Sequence, residues 1–263
     1  MFRLVQIAPG TYVASSTLYL TNSVVVEGLS HNVLVIDPAV TVQELMILSV
    51  DLRQAGLKTE VGFSTHPHWD HLLWIPALGN APRYATGRAI QSVRTHRDIM
   101  FAEMMQAAPG HDPTLFGQLT ELPPGSETLP WTGPATQLMT HNAHAPGHAA
   151  LFLAERGLLI LGDMLSDVEI PLLDLTAPDP VKDYRIALSL LSKVLPYLHI
   201  FVPGHGHLGY GAREFQRRLD ADMEYLDALE EGRICRDPRL EVPWLHSVHD
   251  TQWHHLHGHV QPD

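Results

Sequence analysis

The run His66-Pro67-His68-Trp69-Asp70-His71 places four side chains that can bind metal within six adjacent residues. On an extended chain, His66 and His68 leave the same side of the backbone and can reach one ion. Asp70 and His71 point elsewhere and can serve another ion. Imidazole and carboxylate suit zinc and iron-like ions. The run therefore predicts a site for two metal ions.

Three further elements that can bind metal follow in order along the chain. Each is a loop after or between apolar runs of strand length: Pro146-Gly147-His148, Leu161-Gly162-Asp163 and Pro203-Gly204-His205. The chain contains 18 histidines, so a single such element carries little weight. Four elements in sequence make an accidental arrangement implausible.

With these elements the chain resembles the metallo-β-lactamase-fold hydrolases over essentially its whole length. The resemblance includes the apolar segment 32–38, which ends in Ile36-Asp37-Pro38. It implies an α/β fold in which two mixed β-sheets pack face to face and helices flank them on the outside, an αββα sandwich.

The resemblance also implies seven metal ligands. They are His66, His68 and His148 for one ion, Asp70, His71 and His205 for the other, and Asp163 as the bridge between the two ions. Two divalent ions about 3.5 Å apart can share a hydroxide, which lowers the pKa of water toward neutrality. Asp70 and Asp163 are the expected catalytic residues, because both balance the metal charge and Asp70 can also orient the hydroxide or take a proton. Zinc is the first choice of metal, with iron and manganese as alternatives.

Apolar runs between turn residues predict short strands, and helical spacing of apolar residues predicts helices. The predicted strands cover 4–14, 17–27, 32–37, 60–64, 137–140, 149–154, 158–161 and 199–202. The predicted helices cover 41–55, 180–195 and 211–231, and Thr41 with Glu44 suits a capping box at the first of them. His66 then lies in the loop after a strand, where catalytic residues collect.

We expect one domain over residues 1–263, with a helical insertion over 86–125. Within that insertion, helices are predicted over 86–95 and 98–108. Met100 and Met104 lie four residues apart and give the second helix an adaptable apolar face. Core packing or a dimer surface is favoured for that face at about two to one. A lid over an apolar substrate pocket is the alternative.

The C-terminal tail, residues 240–263, is rich in histidine and tryptophan. It contains Trp244, His246, His249, Trp253, His254, His255, His257 and His259. Because chain termini are often loosely held, a surface or disordered tail is the favoured prediction. Binding of adventitious metal and folding over the active site are the alternatives.

Four other residues near the presumed ligands are open to two interpretations. Asp37 could support a histidine ligand, but an Asp-Pro pair more often forms a turn or caps the next helix, and we favour the cap at about two to one. His141, His144 and His207 could contact substrate or ligands, but loop histidines are usually surface residues. Of these three, His144 is the preferred candidate.

The composition limits the partners of the chain. A net charge of −12 opposes binding to a phosphate backbone, so nucleic acid is not expected. No secretory signal is expected at the start and no apolar stretch has the length of a membrane span, which favours a cytoplasmic protein that does not bind membranes. A single cysteine, Cys235, fits a reducing compartment. The expected partner is a small-molecule substrate, and a homodimer stays open.

The implied family opens β-lactams, lactones, thioesters and phosphodiesters, so the fold alone does not identify the substrate. Asp163 argues against a true β-lactamase. The better-known lactonases have a tyrosine three residues after the bridging aspartate, where this chain has Ser166. Glutathione thioesterases carry basic residues in the C-terminal region, and here residues 211–263 have several Arg and no Lys. The acidic charge argues against a ribonuclease Z-like phosphodiesterase, and His68 against a flavin-coupled di-iron reductase.

We therefore expect a metal-dependent hydrolase that uses a metal-bridging hydroxide on a small ester, lactone or thioester. The first alternative is a sulfur dioxygenase with one iron, which the equivalents of His66, His148 and Asp163 would hold. A phosphodiesterase is the second alternative, and a non-catalytic metal-binding scaffold is the third.

Overall fold

The structure is a computed structural model that describes residues 3–258. Its first sheet has seven strands in chain order. Neighbouring strands pair antiparallel from the first strand to the fourth and parallel from the fourth to the seventh. The strands are β1 (Val5–Ala8), β2 (Thr11–Ser15), β3 (Asn22–Glu27), β4 (Asn32–Ile36), β5 (Lys58–Phe63), β6 (Arg83–Ala85) and β7 (Thr120–Glu121).

The second sheet has five strands, β8 (Gln137–His141), β9 (His148–Leu153), β10 (Leu158–Gly162), β11 (Ile200–Pro203) and β12 (Gly209–Tyr210). Their order across the sheet is β12-β11-β10-β9-β8. The β10–β11 pair is parallel and the other pairs are antiparallel. Both sheets are therefore mixed.

Five α-helices accompany the sheets: α1 (Val42–Gln54), α2 (Gly87–Ala107), α3 (Pro180–Ser192), α4 (Gly211–Glu230) and α5 (Pro243–His257). The predicted capping box at α1 is confirmed, since the Thr41 side chain accepts from the Glu44 amide and the Glu44 carboxylate accepts from the Thr41 amide. Within residues 3–258, none of these helices combines the length and apolar character needed to cross a bilayer.

Three apolar clusters define four layers. Residues such as Val24 and Phe63 of the first sheet meet Leu151 and Ile160 of the second in a buried layer between the sheets. A second cluster lies between the first sheet and helices α1 and α2, and a third lies between the second sheet and helices α3 to α5. Burial of these faces from water is the main stabilising contribution. The predicted αββα sandwich is confirmed.

The ends of strands from both sheets meet at one edge of the molecule. At this edge the amide of Asn22, in β3, donates to the carbonyl of Gly204 across 2.7 Å, and its side-chain amide donates to the carbonyl of Pro203 across 3.0 Å. These bonds join the two sheets beside the loops that follow β5, β10 and β11. Those loops carry most of the predicted ligands.

The chain differs from the prediction in the two segments around this edge. A single helix, α2, replaces the two predicted helices of residues 86–125, and β7 within the same segment extends the first sheet. The tail predicted as loose is helix α5, in which Leu245 and Gln252 are buried. His259 lies outside the described residues.

Candidate metal centre

Four side chains form the first cluster of the site. The Nδ1 atom of His68 lies 3.1 Å from Nε2 of His66 and 2.9 Å from Nε2 of His144. A carboxylate oxygen of Asp163, Oδ2, lies 3.4 Å from Nε2 of His66 and 3.3 Å from Nε2 of His144. The donor atoms of the four residues therefore converge on one small volume.

Asp70, His71 and His205 form the second cluster. The Nε2 atoms of the two histidines are 3.3 Å apart, and Oδ2 of Asp70 lies 3.4 Å from the first and 3.3 Å from the second. Asp163 borders this cluster too, because its Oδ1 is 3.2 Å from Nε2 of His71 and its Oδ2 is 3.1 Å from Nε2 of His205. One carboxylate thus faces both clusters.

These donor sets fit divalent metal ions. Ligand atoms placed tetrahedrally at about 2.0–2.1 Å from zinc lie about 3.3 Å from one another, which matches the separations in both clusters. Ring nitrogens of His66 and His68 face one another at 3.1 Å. A neutral imidazole has only one N–H group to donate, and its other nitrogen is an acceptor that can bind a cation. The buried Oδ1 of Asp163 also has no hydrogen bond among the described residues. A shared cation satisfies all of these atoms.

Four of these histidines have their other ring nitrogen next to an oxygen atom. Nδ1 of His66 lies 3.0 Å from the Thr65 hydroxyl, and Nδ1 of His71 lies 2.9 Å from the Asp37 carboxylate. Nδ1 of His144 lies 2.9 Å from the Leu172 carbonyl, and Nδ1 of His205 lies 3.0 Å from the Tyr19 carbonyl. Such contacts fix the tautomer and the ring orientation of metal-binding histidines.

The electrostatics of the centre keep the carboxylates ionised. Burial alone raises the pKa of Asp163, but His205, His71 and His66 outweigh it and hold this pKa well below the usual value. The same balance lowers the pKa of Asp70 to about 2. Burial lowers the pKa of His68 to about 3, with His144 adding to the effect. Burial also holds the pKa of His66 well below its usual value, so His66 and His68 present neutral imidazole, the form that binds metal.

The structure places six of the seven predicted ligands in these clusters and places His148 elsewhere. The Nε2 atom of His148 lies 2.9 Å from the carbonyl of Leu161, and its ring stacks on His66. His148 is the first residue of β9, which pairs with β10, and its ring is directed to Leu161 of that neighbouring strand. His144, in the loop before β9, lies where His148 was predicted to lie.

Asp37 supports a predicted ligand and does not cap the next helix, so the favoured interpretation as a cap was wrong. Thr41 is the N-cap of α1. The Asp37 carboxylate accepts hydrogen bonds from the amide and the hydroxyl of Thr65, at 2.8 and 2.6 Å, and lies against His71. Asp37 therefore orients His71 and holds the chain that leads into His66.

A cavity of about 840 Å³ opens directly beside the two clusters. Its walls are largely apolar and come from several parts of the fold: Tyr19, Trp69 and Met100 on one side, and Leu172, Leu173, Leu175, Trp244 and Val248 on another. Met104 is fully buried in the core, while Met100 lines this cavity. Helix α2 therefore packs in the core and also contributes to the wall of the cavity. Helix α5, in the C-terminal tail, also lines this cavity.

Two residues of the site carried no signal in the sequence. Glu169 is buried and lines the cavity beside Asp163 and His205, and burial raises its pKa to about 7. Arg239, far along the chain, donates to the backbone carbonyls of Ser166 and Glu169 at 3.1 and 2.7 Å. An ion pair with Asp222 at 2.7 Å holds this guanidinium in place. Glu169 is part of the loop after β10, and only the folded chain brings Arg239 to this loop.

Comparison with known proteins agrees with this geometry. The family model of the metallo-β-lactamase superfamily matches residues 16–205, which include every residue of both clusters. Because the match spans more than half of the chain, the chain belongs to this superfamily. No curated protein matches.

Solved structures show the same fold. A metallo-β-lactamase family protein of Thermus thermophilus is 19% identical with a TM-score of 0.68, over 95% of this chain and 93% of that one. A β-lactamase domain protein of Burkholderia ambifaria is 18% identical with a TM-score of 0.64, over 87% and 75%. A metallo-β-lactamase of Pontibacter korlensis is 15% identical with a TM-score of 0.63, over 84% and 98%. At these identities the likeness concerns the fold.

Proposed function

We propose that the protein is a two-metal hydrolase of small, neutral and partly apolar carboxylic esters, lactones or thioesters. One observation carries this proposal: two clusters of donor atoms share Asp163 and open together on one largely apolar cavity. Superfamily membership supports a metal-dependent hydrolase.

The proposed ligands follow the geometry of the clusters. His66, His68 and His144 hold the first ion, Asp70, His71 and His205 hold the second, and Asp163 serves both. Zinc is the proposed metal, because imidazole and carboxylate in these proportions suit it. When bound, a pair of divalent ions lowers the pKa of water toward neutrality and polarises an acyl oxygen.

The protein side chains position the reactants and handle the proton. Asp70 borders the cavity, and its Oδ2 atom accepts a hydrogen bond from the Thr21 hydroxyl at 3.4 Å. Its other carboxylate oxygen is proposed to orient a water molecule and to take its proton. The apolar walls around Trp69 and Leu172 exclude bulk water, and exclusion of water strengthens the electrostatic interactions in the site.

The charge of the cavity supports a neutral substrate. Among residues 3–258, no Lys or Arg lines this cavity, while Glu103, Glu169 and Asp174 do. A substrate with a carboxylate or phosphate outside the reacting group would find no cationic partner from the protein. Glutathione thioesters and β-lactam antibiotics carry such a group, and a phosphodiester carries its negative charge on the reacting group itself. Neutral esters and lactones with an apolar acyl chain carry no such charge.

A substrate panel tests this proposal. Zinc-loaded protein is assayed on 4-nitrophenyl hexanoate, a neutral lactone of matched chain length, a neutral thioester and bis(4-nitrophenyl) phosphate, with the chelator-stripped protein as the blank. We expect kcat/KM for at least one neutral acyl substrate to exceed that for the phosphodiester by about 100-fold or more. Activity on the phosphodiester alone would contradict the proposal.

Oxidation of a persulfide at a single iron is the competing proposal. Its predicted ligands included His148, which the Leu161 carbonyl contacts, and the complete second cluster gives the chain donors for two ions. Two zinc or manganese ions per chain support hydrolysis. One iron together with thiol-dependent oxygen uptake would support the oxidation.

A further inference from the structure

The side chain of Glu169 lies beside the second cluster without a partner. It follows Asp163 by six residues in the loop after β10 and is only 7% exposed. A carboxylate oxygen of Glu169, a carboxylate oxygen of Asp163 and a ring nitrogen of His205 all lie within 4.8 Å of one another. The side chain lines the cavity of the site, so it is directed into the centre and away from bulk solvent.

The basic side chain beside this carboxylate is His205, within 4.8 Å, and it makes no direct hydrogen bond or ion pair with Glu169. Within residues 3–258 the carboxylate makes no hydrogen bond and no ion pair, although the backbone of Glu169 makes two hydrogen bonds. Its amide donates to the Ser166 hydroxyl at 3.1 Å, and its carbonyl accepts from Arg239 at 2.7 Å. The Arg239 side chain is itself paired with Asp222 and Asp237. A buried carboxylate without a hydrogen-bond partner is costly, and a cation bound beside it would offset that cost.

The neighbours of Glu169 indicate which cation fits. Two divalent ions carry four positive charges, of which Asp70 and Asp163 offset two. A substrate ammonium group at Glu169 would lie next to this remaining positive charge and would be repelled by it. A metal ion between Asp163 and His205 would instead gain a third carboxylate, and the carboxylate would gain its cation.

We propose that Glu169 is an additional ligand of the second ion, together with Asp70, His71, His205 and Asp163. The inference rests on the proposed metal centre and does not depend on which acyl substrate is cleaved. The hydrogen bonds to the backbone of Glu169 hold its loop beside Asp163 and His205, and contacts that support a ligand in this way raise metal affinity.

The proposal distinguishes the two ions chemically. The first ion has three imidazoles and one shared carboxylate, whereas the second has two imidazoles and three carboxylates. Carboxylate oxygens suit Mn²⁺, and imidazole suits zinc. The second site should therefore favour Mn²⁺ relative to zinc more strongly than the first site does.

The test is titration of chelator-stripped protein with Mn²⁺, followed by calorimetry and by the electron paramagnetic resonance signal of free Mn²⁺. Wild type is compared with Glu169→Gln, which keeps the shape and removes the charge, and with Glu169→Asp, which keeps the charge and shortens the side chain. Glu127→Gln is the matched control, because Glu127 is exposed and far from the cavity.

We expect wild type and the Glu127 variant to bind two Mn²⁺ ions per chain. Glu169→Gln should weaken one of the two sites about 10- to 100-fold and leave the other unchanged, with Glu169→Asp between the two. Without metal, the Glu169→Gln protein should unfold at the same temperature as wild type or higher, because the variant loses only an unpartnered charge. This melting temperature also shows that the variant is folded.

Three results would overturn the inference. Equal Mn²⁺ affinities for wild type and Glu169→Gln would exclude ligation, even if the enzyme still hydrolyses esters. An unchanged affinity with an altered pH profile of kcat would assign Glu169 to proton transfer instead. Wild type that binds no ion at either site would overturn both this inference and the proposed function.

Discussion

His144 and His148 are four residues apart and occupy different environments at the metal centre. His144 lies in the loop before β9 with its Nε2 atom 2.9 Å from His68, whereas His148 begins the strand and contacts the Leu161 carbonyl. The His148 ring also stacks on that of His66. The two histidines differ in what their replacement should do.

Replacement of each histidine by alanine separates these functions. His144→Ala should reduce the metal content from two ions per chain to about one, because it removes a donor atom of the first cluster. His148→Ala should keep both ions but lower the free energy of unfolding by about 2–4 kcal/mol, since it leaves a cavity and an unpaired carbonyl in the sheet. Elemental analysis after dialysis and thermal melting measure the two effects, and the reverse pattern would contradict the assignment.

Residue types and spacing, with the family resemblance that they carry, were enough to predict six residues whose donor atoms lie together in the two clusters. They did not separate His144 from His148, because both come after β8 in the chain. Only the observed start of β9 shows that His148 belongs to a strand and His144 to the loop before it. The apolar run 149–153 directly after His148 was the available signal, since it indicates that His148 belongs to a strand. Asp37 gave no local signal, because its contacts with Thr65 and His71 cross from one strand to the next.

Among the helices, α1 is attached to the site through Glu44. The Glu44 carboxylate accepts from the amide of Thr17 at 3.0 Å and from the hydroxyl of Ser16 at 2.8 Å. The cap of α1 therefore also holds the start of the loop that leads to Thr21, whose hydroxyl lies 3.3 Å from Nδ1 of His205. Burial by itself raises the pKa of Glu44, but the hydrogen bonds from Thr17, Ser16 and Thr41 outweigh it and lower this pKa below the usual value.

A carboxyl group with a lowered pKa in the folded state stabilises the fold above its unfolded pKa, and this contribution is lost as the pH falls through the folded value. Glu44→Gln should therefore reduce the free energy of unfolding by about 1–3 kcal/mol at pH 7. The difference from wild type should shrink as the pH falls below about 4.3, the pKa of an unfolded glutamate. Thermal melts of metal-free protein between pH 3 and pH 7 measure it, with Glu127→Gln as the control. A difference independent of pH would rule out the charge as its source.

Helix α5 forms one wall of the cavity through Trp244, Val248, Thr251 and Gln252. Its position was left open by the sequence, because a short histidine-rich segment has no regular apolar stripe. Its docking depends on distant partners, including the amide of Leu173, which donates to Gln252 at 2.6 Å. The three helices with strong apolar spacing were predicted close to their observed bounds, as were β4, β5 and β8 to β11. Strands β6, β7 and β12 were not predicted, and β3 begins at Asn22, five residues after the predicted start.

Trp244→Ala tests whether this wall binds the acyl chain. Loss of part of the indole contact should raise the KM for 4-nitrophenyl hexanoate about 5- to 10-fold, equivalent to about 1–1.4 kcal/mol of binding. The KM for the acetate ester should change little. His246→Ala, on the exposed face of the same helix, is the control. Equal effects on both esters would show that Trp244 does not contact the acyl chain.

At the scale of the whole molecule, the metal centre lies where two sheets meet. His66 to His71 follow β5 of the first sheet, and Asp163 and His205 follow β10 and β11 of the second. The fold class was predicted through the family resemblance, which the ordered loops with potential ligands carry. The cavity and the position of Glu169 were not, because they depend on packing between segments far apart in sequence.

The measurement that tests the account most directly is the initial rate of hydrolysis of a neutral aryl ester during titration of metal-free protein with zinc. The account predicts that the rate rises and reaches a plateau at two zinc ions per chain, and that Asp163→Asn, which lacks the shared carboxylate charge, stays near the blank. A full rate without metal, or a plateau at one ion per chain, would contradict a two-metal hydrolase.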